Sequence, residues 1–299
     1  MQYEASKGLS VLQSGLILDK FADNENFSAA ILELAYLGHL EIDQKDKKVD
    51  PVLLCKEKDT IGLTMDQKYL LDHALFKRKR SFTLSAGSSS KASASQEGFG
   101  HINYNLYTWS VGDGYMVENP QHVRKSFLWK SILWLLPVAG LVFYTLYATL
   151  GEEAIFIFIF PLVFGSAGIG MMMSQKKWLA KLPGLLFIGA AMMPLLIMQQ
   201  QGINFKEFIM GPIGVMFVVI GAFIFTYKKI GKSTQKGAYA SKHLLGLKEF
   251  IKHVKQDEIK RHLDMDPLYL EKMLPYAVLF NETKHWLSFY DILNVKTPY

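Results

Sequence analysis

His253, Asp257, Glu258 and His262 are the residues whose types and spacing come nearest to chemistry in this chain. The pairs His253/Asp257 and Glu258/His262 are each four apart, which on a helix puts both members on one face. A divalent metal takes such pairs when a further ligand completes its shell. Here Lys252, Lys255, Lys260 and Arg261 interleave the four. Cations so close disfavour a bound metal, and the segment is expected to be a solvated, charged helix face. Nucleophilic chemistry has less support. Cys55 is the only cysteine, which excludes an intrachain disulfide and a thiolate zinc cluster, and no serine stands in a nucleophile-elbow pattern.

"GSAGIG", Gly165 to Gly170, has the look of a dinucleotide loop, but that loop needs a strand before it and a soluble helix after it. This one lies inside an uncharged apolar run, where small residues let two membrane helices approach closely. Gly165 and Gly168 are therefore expected at a helix-packing face, as are Gly211 and Gly214, which flank Pro212. "KRKR", Lys77, Arg78, Lys79 and Arg80, is the densest basic cluster, followed by "KDKK" at a hairpin tip. Each basic side chain near an anionic lipid surface contributes about 1 kcal/mol. Lipid contact and a merely solvated helix end are both open for this cluster. The chain is thus expected to be no enzyme, with no catalytic residue, metal or cofactor.

The elements that must position these residues divide into lipid-soluble and water-soluble parts. Uncharged runs of 21, 22, 24 and 20 residues lie between Lys130 and Glu152, Glu153 and Lys176, Lys181 and Lys206, and Glu207 and Lys228. About 20 helical residues cross a hydrocarbon core roughly 30 Å thick, so four spans are expected. In the third, Gln199, Gln200 and Gln201 trim the apolar part to Leu182–Met198. Lys and Arg gather before the first span, between the second and third, and after the fourth. That alternation puts both termini in the cytoplasm. The spans hold no ionisable residue at mid-depth, which argues against an ion-coupled carrier. The net charge of +6 suits a protein lying against an anionic cytoplasmic leaflet. "MQYEASKGLS" lacks the basic-then-apolar start of a secretory signal.

The soluble parts are strongly patterned. In residues 1–80, "LSVLQSGLILDKF" and "NFSAAILELAYLGHL" suggest two helices, "LEIDQKDKKVDPVLLCK" a hairpin and "LTMDQKYLLDHALF" a third helix. Thr64 and Gln67 have capping-box spacing. This order predicts a winged-helix-like module with Leu12, Leu16, Ile31, Leu34, Leu40, Ile42, Leu70 and Leu71 in its core. "SAGSSSKASASQEG" is expected to be a linker, and Phe99, Ile102, Leu106 and Trp109 a helical row packing on the module. After the spans, "DPLYLEKMLPYAVLF" predicts one helix started by Asp266 and Pro267 and another started by Pro275.

Three ordered segments carry a resemblance. "GLSVLQSGLILD…DNENFSAAILELAYLGHLEI", "GYMVENPQHVRKSF" and "LLGLKEFIKHVKQDEIKRHLDMDPLYLEKMLPYAVLF" are similar to parts of the YciQ-like predicted membrane proteins, a family with a domain of unknown function. The resemblance implies a cell membrane, a bacterial inner membrane in particular, and no reaction or catalytic residue. Members of that family also carry an upstream signal, an extracytoplasmic β-rich domain and a further span. This sequence shows none of these, as expected of a split or shortened form.

The expected fold is an all-α membrane protein with four transmembrane helices. Residues 1–80 form the winged-helix-like cytoplasmic domain, 81–126 the Ser/Gly-rich linker and juxtamembrane helix, 127–229 the membrane region, and 230–299 a small helical cytoplasmic domain. A non-catalytic, membrane-anchored scaffold or regulatory protein is the expected function, with the lipid bilayer and an unidentified protein as partners. A channel or permease-like subunit is the alternative, favoured by Pro161, Pro183, Pro194 and Pro212, which permit broken helices. Nucleic acid is disfavoured, because the helix that would enter a groove carries Glu33 and no basic residue.

Overall fold

The computed structural model describes residues 8–21, 24–44, 50–77, 79–84, 89–174, 181–191, 193–194 and 212–293, with Glu4 and Val295 besides. The chain is mostly helical and divides into two compact units, residues 1–123 with 230–299, and residues 124–229.

The first unit begins with α1 (Val11–Asp19) and α2 (Asn24–Tyr36). Ser10 caps α1 reciprocally with Gln13, accepting its N–H at 3.1 Å and donating its own N–H to the Gln13 side chain at 3.1 Å. Helix α1 is buried on all sides from Val11 to Ile17, because it forms a wall shared by two apolar clusters. Leu12 and Leu16, four apart, join Phe27, Ile31, Leu34, Leu40, Leu70, Leu71, Ile102 and Leu106. Val11 and Ile17 face the other way, into a cluster with Phe250, Leu274, Trp286 and Tyr290. Seven of the eight core residues expected for the N-terminal module are buried, and Ile42 packs partly buried against them.

Strands β1 (Leu40–Asp43) and β2 (Val52–Cys55) form the expected hairpin, with Leu40 opposite Cys55 and Asp43 opposite Val52. Strand β3 (Ser81–Thr83) adds to β2, so the sheet runs past residue 80 and the otherwise helical chain is not all-α. Phe82 of β3 packs on the module core. Between the strands, α3 (Met65–Tyr69) continues as a π-helical stretch, Leu70–Leu75. Helix α4 (Ser89–Gly112) starts inside the segment expected to be a linker. At Gly98 a Cβ would come within 2.9 Å of the Ala74 backbone, so only glycine lets the helix lie this close.

Helices α5 (Pro120–Leu150) and α6 (Glu153–Ser174) are long and apolar enough to cross a membrane, and only 11% of each most apolar window is buried. Gly151, at φ 62°, makes the turn between them. Helices α7 (Leu182–Ala191) and α8 (Pro212–Lys229) lie in the third and fourth apolar runs. Gly211, Gln199, Gln200, Gln201, the "KDKK" tip and Arg78 lie outside the described residues.

The chain re-enters the first unit at Ile230 and forms α9 (Gln235–His253), α10 (Gln256–Met265), α11 (Tyr269–Leu279) and α12 (Thr283–Ile292). Helix α11 packs along α2, so the two ends of the sequence share one core. Two expectations change here. Asp266 ends α10 instead of starting the next helix. Its carboxylate accepts the Leu268 N–H at 3.1 Å and its carbonyl the Tyr269 N–H at 3.0 Å, making a tight turn. Pro275 lies inside α11 and starts nothing. A proline at this position forfeits one backbone hydrogen bond. Burial of Met273, Leu274, Tyr276 and Ala277 around it outweighs that loss.

Candidate functional site

The sequence candidates do not converge. Val254, with ψ 141°, breaks the helix after His253, so His253 and Asp257 lie on different helices and share no face. His253 sits exposed with its Nδ1 3.2 Å from the Glu249 carboxylate. His262 stacks on Tyr269 at 4.4 Å between ring centres and meets the edge of Phe250. Among the described residues no three His, Cys, Asp or Glu side chains come together as a metal group. In the basic cluster, Lys77 and Lys79 are exposed and Arg80 pairs with Glu57 at 2.6 Å on the surface. "GSAGIG" is helical throughout, within α6. A Cβ at Gly168 would lie 2.7 Å from the Gly184 carbonyl of α7, whereas one at Gly165 meets Ala191 at an ordinary 3.8 Å. Gly214 lies on α8. Gly184 was not among the expected packing residues, although Ala191, seven positions on, puts a second small residue on its face.

What the fold does bring together is a clasp between the two segments that adjoin the membrane helices. Helix α4 ends at Gly112, and Gly114, at φ 71°, turns the chain back so that Tyr115 and Met116 both donate N–H bonds to the Ser110 carbonyl. Met116 then pairs antiparallel with Ser233, and the Val117 N–H donates to the Lys232 carbonyl at 2.9 Å. Thr234 is the centre of the contact. Its N–H donates to the Tyr115 carbonyl at 3.1 Å, and its hydroxyl donates to the Gly114 carbonyl at 2.6 Å. The same hydroxyl accepts the Gly237 N–H at 3.1 Å, capping α9. A Cβ at Gly237 would overlap the Tyr115 carbonyl, so glycine is required there.

Side chains lock the arrangement. Lys236 donates to the Asp113 carbonyl at 2.8 Å and lies 4.2 Å above the Tyr115 ring, which stacks on Trp109. Met116 is 1% exposed beneath it. From α1, Lys20 donates to the Gly231 carbonyl at 2.7 Å. On the outgoing side, Asn119 accepts the Gln121 N–H at 2.9 Å and Pro120 occupies the first turn of α5. The "GYMVENP" stretch thus holds two devices, a clasp half and a helix start. Thr234 and Gly237 escaped notice because a cap in "GKSTQKG" carries no sign of its distant partner.

A second polar group lies at the N-terminus of α1. Glu33 of α2 accepts the Val11 N–H with both carboxylate oxygens, at 3.1 and 3.2 Å, and the Gln67 side-chain amide at 2.8 Å. Asp66 accepts the Ser10 hydroxyl at 2.6 Å and the Gln13 amide at 3.0 Å. Burial pushes the Glu33 carboxyl up to about 7, against the lowering by Gln67 and Val11, and the charge of Asp66 adds to the rise. Burial raises the Asp66 carboxyl too, opposed by its hydrogen bonds from Ser10 and Gln13. The Tyr276 hydroxyl of α11 is held above its ordinary value, first by burial and then by Glu33. The S-x-x-Q spacing of Ser10 and Gln13 was a legible capping signal, whereas the approach of Glu33 and Asp66, 33 positions apart, was not.

The clasp fixes backbone to backbone, and the acidic group fixes one helix end. Neither offers an exposed nucleophile or a ligand shell. No curated protein and no solved structure matches the chain. A family described as predicted membrane protein (DUF2207) C-terminal domain matches residues 2–288, nearly the whole length, and the chain belongs to that family.

Proposed function

We propose that this protein is a non-catalytic, membrane-anchored scaffold or regulatory protein that presents one cytoplasmic interaction unit beneath the bilayer. The observation that carries the reading is the clasp. Both segments that adjoin the membrane helices are tied backbone to backbone at Met116 and Ser233, so the soluble unit is assembled from both flanks of the membrane region. Four spans, with both termini cytoplasmic and a winged-helix-like N-terminal module, complete the proposal. The alternation of Lys and Arg between the apolar runs supports that topology. Covering of α2 by α11 supports protein over nucleic acid as the partner, since a groove-reading helix needs a free face.

Cys55 supplies the test of topology, being the only cysteine and exposed on β2. A membrane-impermeant maleimide is expected to label it in inside-out vesicles and not in right-side-out ones. The opposite pattern would overturn the cytoplasmic assignment. Site-specific crosslinking from the soluble unit of the full chain, in its native membrane, should then give one reproducible protein adduct. A transport reading draws on Pro137 and Pro161 inside α5 and α6 and on the close approach of Gly168 to Gly184. Proteoliposomes with no more solute flux than empty liposomes would remove it.

A further inference from the structure

The acidic group at the start of α1 is placed where two carboxylates are hard to keep ionised together. Glu33 comes from α2 and Asp66 from the first turn of α3, and both close on the same helix end. Among the described residues no Lys, Arg or His nitrogen lies within ion-pair distance of either. The groups that do face them are few. Helix α1 offers its Val11 N–H and the neutral Ser10 and Gln13, α3 offers Gln67, and α11 offers the neutral Tyr276. Among the described residues the compensating charges are the positive ends of the α1 and α3 dipoles, each equivalent to about half an elementary charge, and Asp66 sits at the second. Two full negative charges exceed their sum of about one.

We propose that Glu33 and Asp66 form a proton-responsive latch that holds the first turn of α1 on α2 and α3 when one carboxyl carries a proton, and loosens it when both ionise. The elevated position of Glu33 agrees with this. Its sign follows from linkage. The seated helix keeps the Glu33 proton up to about pH 7, whereas a freed Glu33 releases it near its ordinary 4.5. Opening therefore releases a proton across that interval, and its equilibrium constant rises up to tenfold per pH unit before levelling off above pH 7. Because α1 is buried in both apolar clusters and its C-terminal Lys20 reaches the clasp, its first turn is well placed to tune how firmly the soluble unit closes.

The test is hydrogen exchange on the full chain in detergent, followed in a peptide covering α1. Protection factors are expected to fall at least tenfold between pH 5 and pH 7 and to change little from pH 7 to 8.5. Glu33→Gln, which mimics the protonated carboxyl, should remove that fall and keep protection high throughout. Equal protection at pH 5 and pH 7 in the natural chain, or an undiminished fall in the variant, would overturn the latch. Should Glu33→Gln fail to fold, a carboxyl-carbon NMR titration of the natural chain decides the matter. A glutamate midpoint near neutrality supports the proposal, and the absence of any midpoint above pH 5.5 ends it.

Discussion

In the unit formed by residues 1–123 and 230–299, Leu12, Leu16, Phe250 and Trp286 are no more than 1% exposed, whereas in residues 124–229 Leu133, Trp134 and Leu186 are 67, 72 and 75% exposed. Both regions are rich in large apolar side chains. In one they meet each other, and in the other they face outward around α5, α6 and α7. An outward apolar surface of this extent would aggregate in water and is stable in hydrocarbon. The contrast extends to polar groups. In the first unit Thr108, Ser110 and Ser288 bond to carbonyls of their own helices, but Ser10, Gln13, Gln67 and Thr234 make polar ties that cross between elements. In the second, Thr145, Thr149 and Ser166 donate to carbonyls three or four residues back in their own helices. Long-range polar ties such as these join the elements of the first unit, whereas in the second α6 and α7 are joined by close approach of backbones at Gly168 and Gly184.

Substitutions that respect one region's rules and break the other's should separate the two. Leu274→Asp places a charge where Leu274 is 5% exposed, at a cost of about 4 kcal/mol. The soluble unit should become protease-sensitive while membrane insertion is unchanged; wild-type resistance would contradict a core shared by α2 and α11. Gly237→Val collides with the Tyr115 carbonyl and should cost about 3 kcal/mol, read as a lowered Tm of the soluble unit in detergent.

On the membrane side, Gly168→Leu should part α6 and α7 at a cost of about 2 kcal/mol. The readout is a disulfide between cysteines replacing Gly165 and Ala191, where a Cβ on Gly165 would lie 3.8 Å from that of Ala191, in a Cys55→Ser background. That crosslink should be lost while proteolysis of the soluble unit stays as in the parent. Thr234→Ala removes a helix cap and a clasp bond together and should cost about 1 kcal/mol in the soluble unit's Tm. The smallest effect is expected for Arg80→Ala. Its pair with Glu57 is 88 and 82% exposed, so unfolding midpoints should not move measurably.

Much of this division was legible in the linear order of residues. Uncharged runs beginning after Lys130 and Glu153 marked α5 and α6, because a bilayer demands length and apolarity and nothing more specific. Helical rows placed Leu12, Leu16, Leu34 and Leu70 in a core, because burial follows period. Three readings failed. Ser89 begins a helix, Pro275 continues one, and Val254 ends one, each against or without a local signal. At Pro275 packing around Leu274 outweighs a propensity cost of about 3 kcal/mol.

By itself, then, the sequence determined the apolar, membrane-spanning length of α5 and α6, the hairpin and the principal helices, since these depend on local composition and period. Only the tertiary structure decided that the two ends of the chain share one core, that Gly114–Val117 and Lys232–Thr234 close a clasp, and that Glu33 meets Asp66. Those contacts join residues tens to more than a hundred positions apart. Their energies come from the approach of surfaces, which no window of neighbouring residues contains.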